Sequence, residues 1–334
     1  MSKRPGIVAL AASLALCTSG IAQQPLDLKV TAKKGSSVWL VDETTESKSL
    51  QSDDGEWETS QTTAVVLHMT VEDLDEKGRL VVKTRIARIH GGMSLPNAEV
   101  DFDSAAPADE DEDADADDGS GITLGGLRKA LLVGAGRTFT AVVDPRGAVV
   151  ELQDDAKELV AEADATARRG LPVTLTRSAL KDFVRRAFGE LPDAPVAVGG
   201  AWQPAATNAP AFGPTPLARR LTLAKADAGT IEIAIAGDGA EQTPADDGQT
   251  VTIRAKNGPR LKAGSVRGVC RISRADGFVA AAEETTKAEY EDMPTSAGTG
   301  TLSLTVRRTQ KRADADAAVL KPAAAKPAAG GDKK

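Results

Sequence analysis

Four times along the chain, a segment of alternating apolar and polar residues enters a turn built on Asp and closed by Gly, then leaves as another alternating segment. Asp73 to Gly78 separates Trp57–Val71 from Arg79–His90, and Asp144-Pro145-Arg146-Gly147 separates Arg137–Val143 from Ala148–Leu152. Asp227-Ala228-Gly229 separates Arg219–Lys225 from Thr230–Ala236, and Arg274-Ala275-Asp276-Gly277 separates Ser265–Ser273 from Phe278–Tyr290. An Asp carboxylate accepts hydrogen bonds from the backbone N–H groups that follow it, and Gly accepts the positive φ of the last turn position. Each turn therefore predicts a β-hairpin. Together with a last strand at Thr301–Arg307, the four predict a meander of long antiparallel strands. In the first of them, Trp57, Val65, Leu67, Met69 and Val71 share one parity and are expected to face a core, while Glu58, Ser60, Thr62, His68 and Thr70 take the other face.

A helical segment, residues 122–189, interrupts the strands. Leu124, Leu127 and Leu131 share a face in Ile122–Val133, with Gly134 as the stop. Asp154–Arg169 opens on acids and closes on Arg168-Arg169-Gly170, which suits a helix dipole and a Gly cap. Thr176 is placed to cap a third helix with Leu180, Phe183, Val184 and Ala187 on one face, ended by Gly189 and Pro192. Amphipathic helices need a surface to lie on. The expected fold is therefore α+β: a curved antiparallel β-sheet, a half-barrel-like meander, with the helical segment packed on its concave face.

The flanks carry different information. Lys3 and Arg4 precede a short apolar run, Ile7–Leu16, too short to span a bilayer, which needs about 20 apolar residues. Residues 1–22 thus read as a signal peptide, with Gly20 and Ala22 as the small residues before the cut, and the protein is expected to be exported, periplasmic or extracellular. A lipid anchor at Cys17 is the alternative, but Leu16 is a poor residue to precede an acylated Cys. Residues 23–310 form the expected single β-rich domain. Within it, residues 104–121 carry eight acids between Asp109 and Asp118 and read as a disordered loop; residues 311–334 read as a disordered Ala/Pro/Lys tail. No other apolar run reaches transmembrane length.

Charge and composition remove several function classes. The net charge of −7 becomes more negative still when Lys3 and Arg4 leave with the signal peptide, so nucleic acid is not an expected partner. Cys270 is the one cysteine left after cleavage, which allows no internal disulfide. Aromatics make up only 3% of the chain, which argues against stacking platforms for carbohydrate.

The residues that could carry chemistry do not assemble into a motif. The chain has two histidines, His68 on the polar face of a strand and His90 before Gly91-Gly92, and both read as surface residues. A zinc pair would need them to converge across neighbouring strands. Cys270 alternates with Val266 and Ile272 and reads as an inert core thiol, with Arg267 and Arg271 on the other face. Asp113, Asp115 and Asp117 match the start of a calcium loop, but Asp118 stands where Gly is needed and Leu124 where the closing Glu is needed. Gly134-Ala135-Gly136 lacks the third glycine of a dinucleotide loop and precedes a strand. No catalytic residue, cofactor or metal site is therefore expected.

The strand–turn–strand from Val71 to Ile89, the Phe102-Asp103-Ser104 that follows, and the segment Pro195, Val196, Val198, Gly199, Trp202 resemble an uncharacterised family of exported bacterial proteins and lipoproteins. That resemblance covers roughly residues 26 to 290 and implies no catalytic residues. The layout is also similar to half-barrel carriers of lipids or lipoproteins in bacterial envelopes, a likeness of fold alone. The expected function is that of a non-enzymatic envelope protein binding or carrying an apolar ligand. The alternative is a structural or assembly factor working through an envelope protein partner. A third expectation, a hydrolase with an unrecognised site, would require a converging cluster of polar residues in a cleft.

Overall fold

The computed structural model describes residues 24–96, 98–106, 124–168, 174–204, 217, 219–239, 260–295 and 298–314. The expected signal peptide, the acidic stretch beyond Ala106 with its calcium-like aspartates, and the tail beyond Asp314 lie outside the described residues.

In chain order the first strands are β1 (Ser37–Ser52), β2 (Gly55–Leu74), β3 (Leu80–Leu95), β4 (Ala98–Asp103), β5 (Thr138–Val143) and β6 (Val149–Leu152). After the helical segment come β7 (Ala201–Trp202), β8 (Arg220–Ala226), β9 (Thr230–Gly239), β10 (Arg260–Ser273), β11 (Val279–Thr295) and β12 (Gly298–Arg312). The helices are α1 (Leu124–Leu131), α2 (Asp154–Ala167) and α3 (Arg177–Phe188). The twelve strands of the described residues belong to one sheet, ordered β6-β5-β3-β2-β1-β12-β11-β10-β9-β8-β7, with β4 paired to the far half of β3. Every pairing is antiparallel, and the path from β6 to β7 does not close.

The four hairpins are present, and the Asp carboxylates make the bonds that shape them. Asp75 accepts from the N–H groups of Lys77 and Arg79, and Asp144 from those of Arg146 and Ala148. Asp227 accepts from Gly229 and Thr230, and Asp276 from Phe278. The sheet is nevertheless not one meander. β1 and β12 pair at its centre over twelve residues, from Leu40 opposite Arg312 to Gln51 opposite Thr301. The first half of the chain walks outward from β1 to β6, the helical segment crosses to β7 at the other edge, and the second half walks back inward to β12. The expected tail boundary moves accordingly: Lys311 and Arg312 are strand, and Arg312 forks onto Asp276 with both contacts at 2.7 Å.

Among the described residues, two apolar clusters form the core. One gathers inward residues of β1, β2, β3 and β5 with Leu127, Leu131, Leu159, Leu180, Phe183, Val184 and Phe188 of the helices. The other gathers β8 to β12 with Leu28 and Leu191. Trp57 has the inward parity expected of it, opposite Leu50, yet is 43% exposed, because it lies at the far end of β2 outside both clusters. Parity assigns a face to a residue, but something must cover that face for the residue to be buried.

Candidate functional site

Helix α3 is held as its sequence predicts. The Thr176 hydroxyl accepts from the N–H of Ala179 at 3.1 Å, which satisfies one orphan donor of the first turn. Leu180, Phe183, Val184, Ala187 and Phe188 are buried on one face, and Arg185 and Arg186 occupy the last turn, where the helix dipole favours cations. Gly189 ends the helix at φ 74°, and Gly147 in the β5–β6 turn sits so close that a Cβ on it would meet the Gly189 carbonyl oxygen at 2.3 Å. The Phe188 ring meets Phe278, the residue just before β11, with centroids 5.0 Å apart.

The end of α3 carries a buried charge network to the seam between the two clusters. Arg186 Nη2 reaches Asp42 Oδ1 on β1 at 2.8 Å, and Gln310 Nε2 on β12 donates to the other oxygen at 3.4 Å. Burial pushes the Asp42 carboxyl above the usual range, outweighing the pull of Arg186 and Arg308. Arg185 pairs with Asp182 at 3.1 Å and with Glu190. Arg219 Nη2 bridges Glu190 and Glu284, each at 2.9 Å. Arg308 stands opposite both Thr44 and Glu284, and burial, then Arg186, hold its pKa below the usual guanidinium range. The Trp202 indole N–H donates to the Glu190 carbonyl at 3.2 Å and fixes the turn that follows the helix.

A cavity opens beside this network. Leu221, Ile233, Ile235, Cys270 and Ala282 form its apolar lining, and Arg185, Arg186, Arg219 and Arg308 line it as well, with Glu190, Glu283 and Glu284 among them. The cavity has a volume of about 50 Å³, room for a few water-sized groups. Several polar atoms around the cavity are buried without a protein partner among the described residues: Arg219 Nε and Nη1, Arg186 Nε and Gln310 Oε1.

The residues singled out by sequence do not converge. His90 lies within β3 opposite Ala64, while His68 lies opposite Arg85. Four residues of strand, about 13 Å, therefore separate them along the sheet. Neither is the fully solvated residue expected. His68 stacks on Trp39 with centroids 4.5 Å apart, and burial and then Arg85 lower its pKa; His90 is half-buried and shifts the same way, through burial and Arg88. Cys270 is in the core as expected, and burial pushes its thiol up to about 12. Gly134 and Gly136 form the turn between α1 and β5, with φ of 90° and 78°. No group of three or more metal-ligating side chains occurs among the described residues, and none of their helices is long and apolar enough to cross a membrane.

The segments that carried the family resemblance have structural work. Phe102 is buried, the Asp103 carboxylate pairs with Arg88, and the Ser104 hydroxyl accepts from the N–H of Ile89 at 3.0 Å. Val196 bridges to Leu26, and the Gly199 N–H donates to the Leu223 carbonyl at 2.7 Å. The arginine network had only a faint sequence signal, adjacent Arg185 and Arg186 at the end of an otherwise apolar-faced helix.

No protein family and no curated protein matches the chain. Among solved structures, it is similar to a lipovitellin described for its lipid–protein interactions, at 7% identity and TM-score 0.40, covering 88% of this chain and 26% of that one. The chain thus spans about a quarter of the lipovitellin's length. It is also similar to an outer membrane channel from Pseudomonas putida F1, at 8% identity and TM-score 0.21, covering 87% of this chain and 99% of the channel. Likenesses at these scores carry no argument about function.

Proposed function

We propose that this is an exported, non-enzymatic envelope protein that binds an apolar ligand between the end of its helical segment and the inward face of β8–β12. The observation that supports this reading is the cavity walled by Leu221, Ile233, Ile235, Cys270 and Ala282. Its wall belongs to the second apolar cluster, whereas the apolar face of α3 is committed to the first. The helix therefore borders the cavity without filling it.

The test is binding of a fluorescent apolar probe, N-phenyl-1-naphthylamine, to the purified protein. Saturable binding at one probe per chain, abolished by filling the wall with Ala282→Leu, is the expected result. Binding that Ala282→Leu leaves unchanged, in a variant with wild-type circular dichroism, would remove this cavity from the reading.

A further inference from the structure

The charged lining of the cavity has a feature that an ion-pair network serving only to fasten α3 would not need. Buried donors without acceptors are costly, and native structures leave few of them. Arg219 is only 7% exposed and spends Nη2 on Glu190 and Glu284, yet its Nε and Nη1 are buried with no protein acceptor among the described residues. Arg186 does the same: Nη2 meets Asp42 while Nε has no acceptor. Both side chains line the same cavity, together with Glu190, Glu283 and Glu284 and the apolar Leu221, Ile233 and Ile235. Guanidinium nitrogens can only donate, so the complement to these groups is an oxygen acceptor, and a charged one gives the stronger bond.

We propose that the cavity is a head-group site, in which Arg186 and Arg219 receive the carboxylate or phosphate oxygens of a single-chain amphiphile whose chain lies along Leu221, Ile233 and Ile235. This rests on the apolar-binding reading above and names the class of ligand it would take. Arg185, Arg186, Arg219 and Arg308 stand against the carboxylates of Asp42, Asp182, Glu190 and Glu284, four charges of each sign, so it is the open donors and not net charge that call for an anion. Size agrees as well. A cavity of about 50 Å³ holds a few water-sized groups, enough for a carboxylate or a phosphate.

The experiment is isothermal titration of the full chain with dodecanoate, dodecyl phosphate, dodecanol and inorganic phosphate, below micelle-forming concentrations. It is repeated on Arg219→Lys and Arg186→Lys, which keep the charge but lose the planar donor set. One acidic amphiphile is expected to bind at least tenfold more tightly than dodecanol, and the carboxylate and phosphate arms identify which. Each Lys variant is expected to weaken that amphiphile roughly ten- to hundredfold while leaving dodecanol unchanged, the effect of losing a hydrogen bond to a charged group. If one variant fails to fold, the other carries the comparison. Equal affinity for dodecanol and both acids would overturn the head-group site and leave the apolar reading standing. Inorganic phosphate binding as tightly as dodecyl phosphate would overturn the role of the chain, and with it the apolar reading. Absence of binding by every amphiphile would overturn both.

Discussion

The attachment of α3 is tested most directly at Phe188. Its side chain is fully buried, it belongs to the cluster that joins the helices to β1, β2, β3 and β5, and its ring meets Phe278 at 5.0 Å with a 30° tilt. Truncating a core Phe to Ala removes the transfer free energy of the ring and leaves a cavity, together about 3–5 kcal/mol. Here the surroundings have little room to collapse, because the Gly147–Gly189 contact already brings backbone against backbone. We therefore expect Phe188→Ala to fall at the upper end of that range. The aromatic pair itself should appear as a coupling of about 0.5–1.5 kcal/mol in a double-mutant cycle with Phe278→Ala. Urea unfolding followed by tryptophan fluorescence measures both, and Trp202, hydrogen-bonded to Glu190, reports on the end of the helix. A loss under about 1 kcal/mol at unchanged m would refute a fixed helix and make α3 a lid that opens independently of the sheet. A coupling of zero would mean that the two rings do not bear on each other.

Asp103→Ala removes the carboxylate to which Arg88, 3% exposed, donates, and should cost about 1.5–3 kcal/mol, the worth of a hydrogen bond to a charged group; adding Arg88→Met should recover most of it, and a double variant as unstable as the single would contradict the pairing. The Asp227 carboxyl, held down to about 2 by Lys225 and by the N–H groups of Gly229 and Thr230, contributes stability that is full above the unfolded value of 3.8 and is lost as the pH falls from there to about 2. A carbon-detected NMR titration should place its midpoint near 2, and a midpoint near 4 would show the turn bonds are not held in solution. The Cys270 thiol, raised to about 12 by burial, should resist iodoacetamide at pH 8 in the native protein and react once unfolded; fast native labelling would contradict its burial. Trp57→Ser should change stability by no more than about 0.5 kcal/mol, since the side chain is 43% exposed, and a larger loss in thermal denaturation would mean that something covers it.

What the sequence determined by itself is local. The hairpins at Asp75, Asp144, Asp227 and Asp276 were legible because each carboxylate acts on N–H groups within a few residues of its own position. Helix α3 was legible for the same reason, through Thr176, one apolar face and Gly189. Strand β1 was not. Its second half, Thr44 to Gln51, contains Leu50 as its sole large apolar residue, so no alternation announces it. It is a strand because β2 and β12 supply ladder partners on both sides, one of them from the other end of the chain. The single meander failed there too, since no local signal says that the first strand pairs with the last. The cavity and its arginines depended on tertiary structure entirely. Arg186 meets Asp42 across 144 residues, and Arg219 meets Glu190 and Glu284 from outside the helix altogether. In the sequence an arginine is a charge with many possible partners. Which donors are satisfied and which are left facing a cavity is decided only when the sheet brings β1, β8, β11 and β12 to the end of one helix, because burial, unlike turn chemistry, is a property of what lies on the other side.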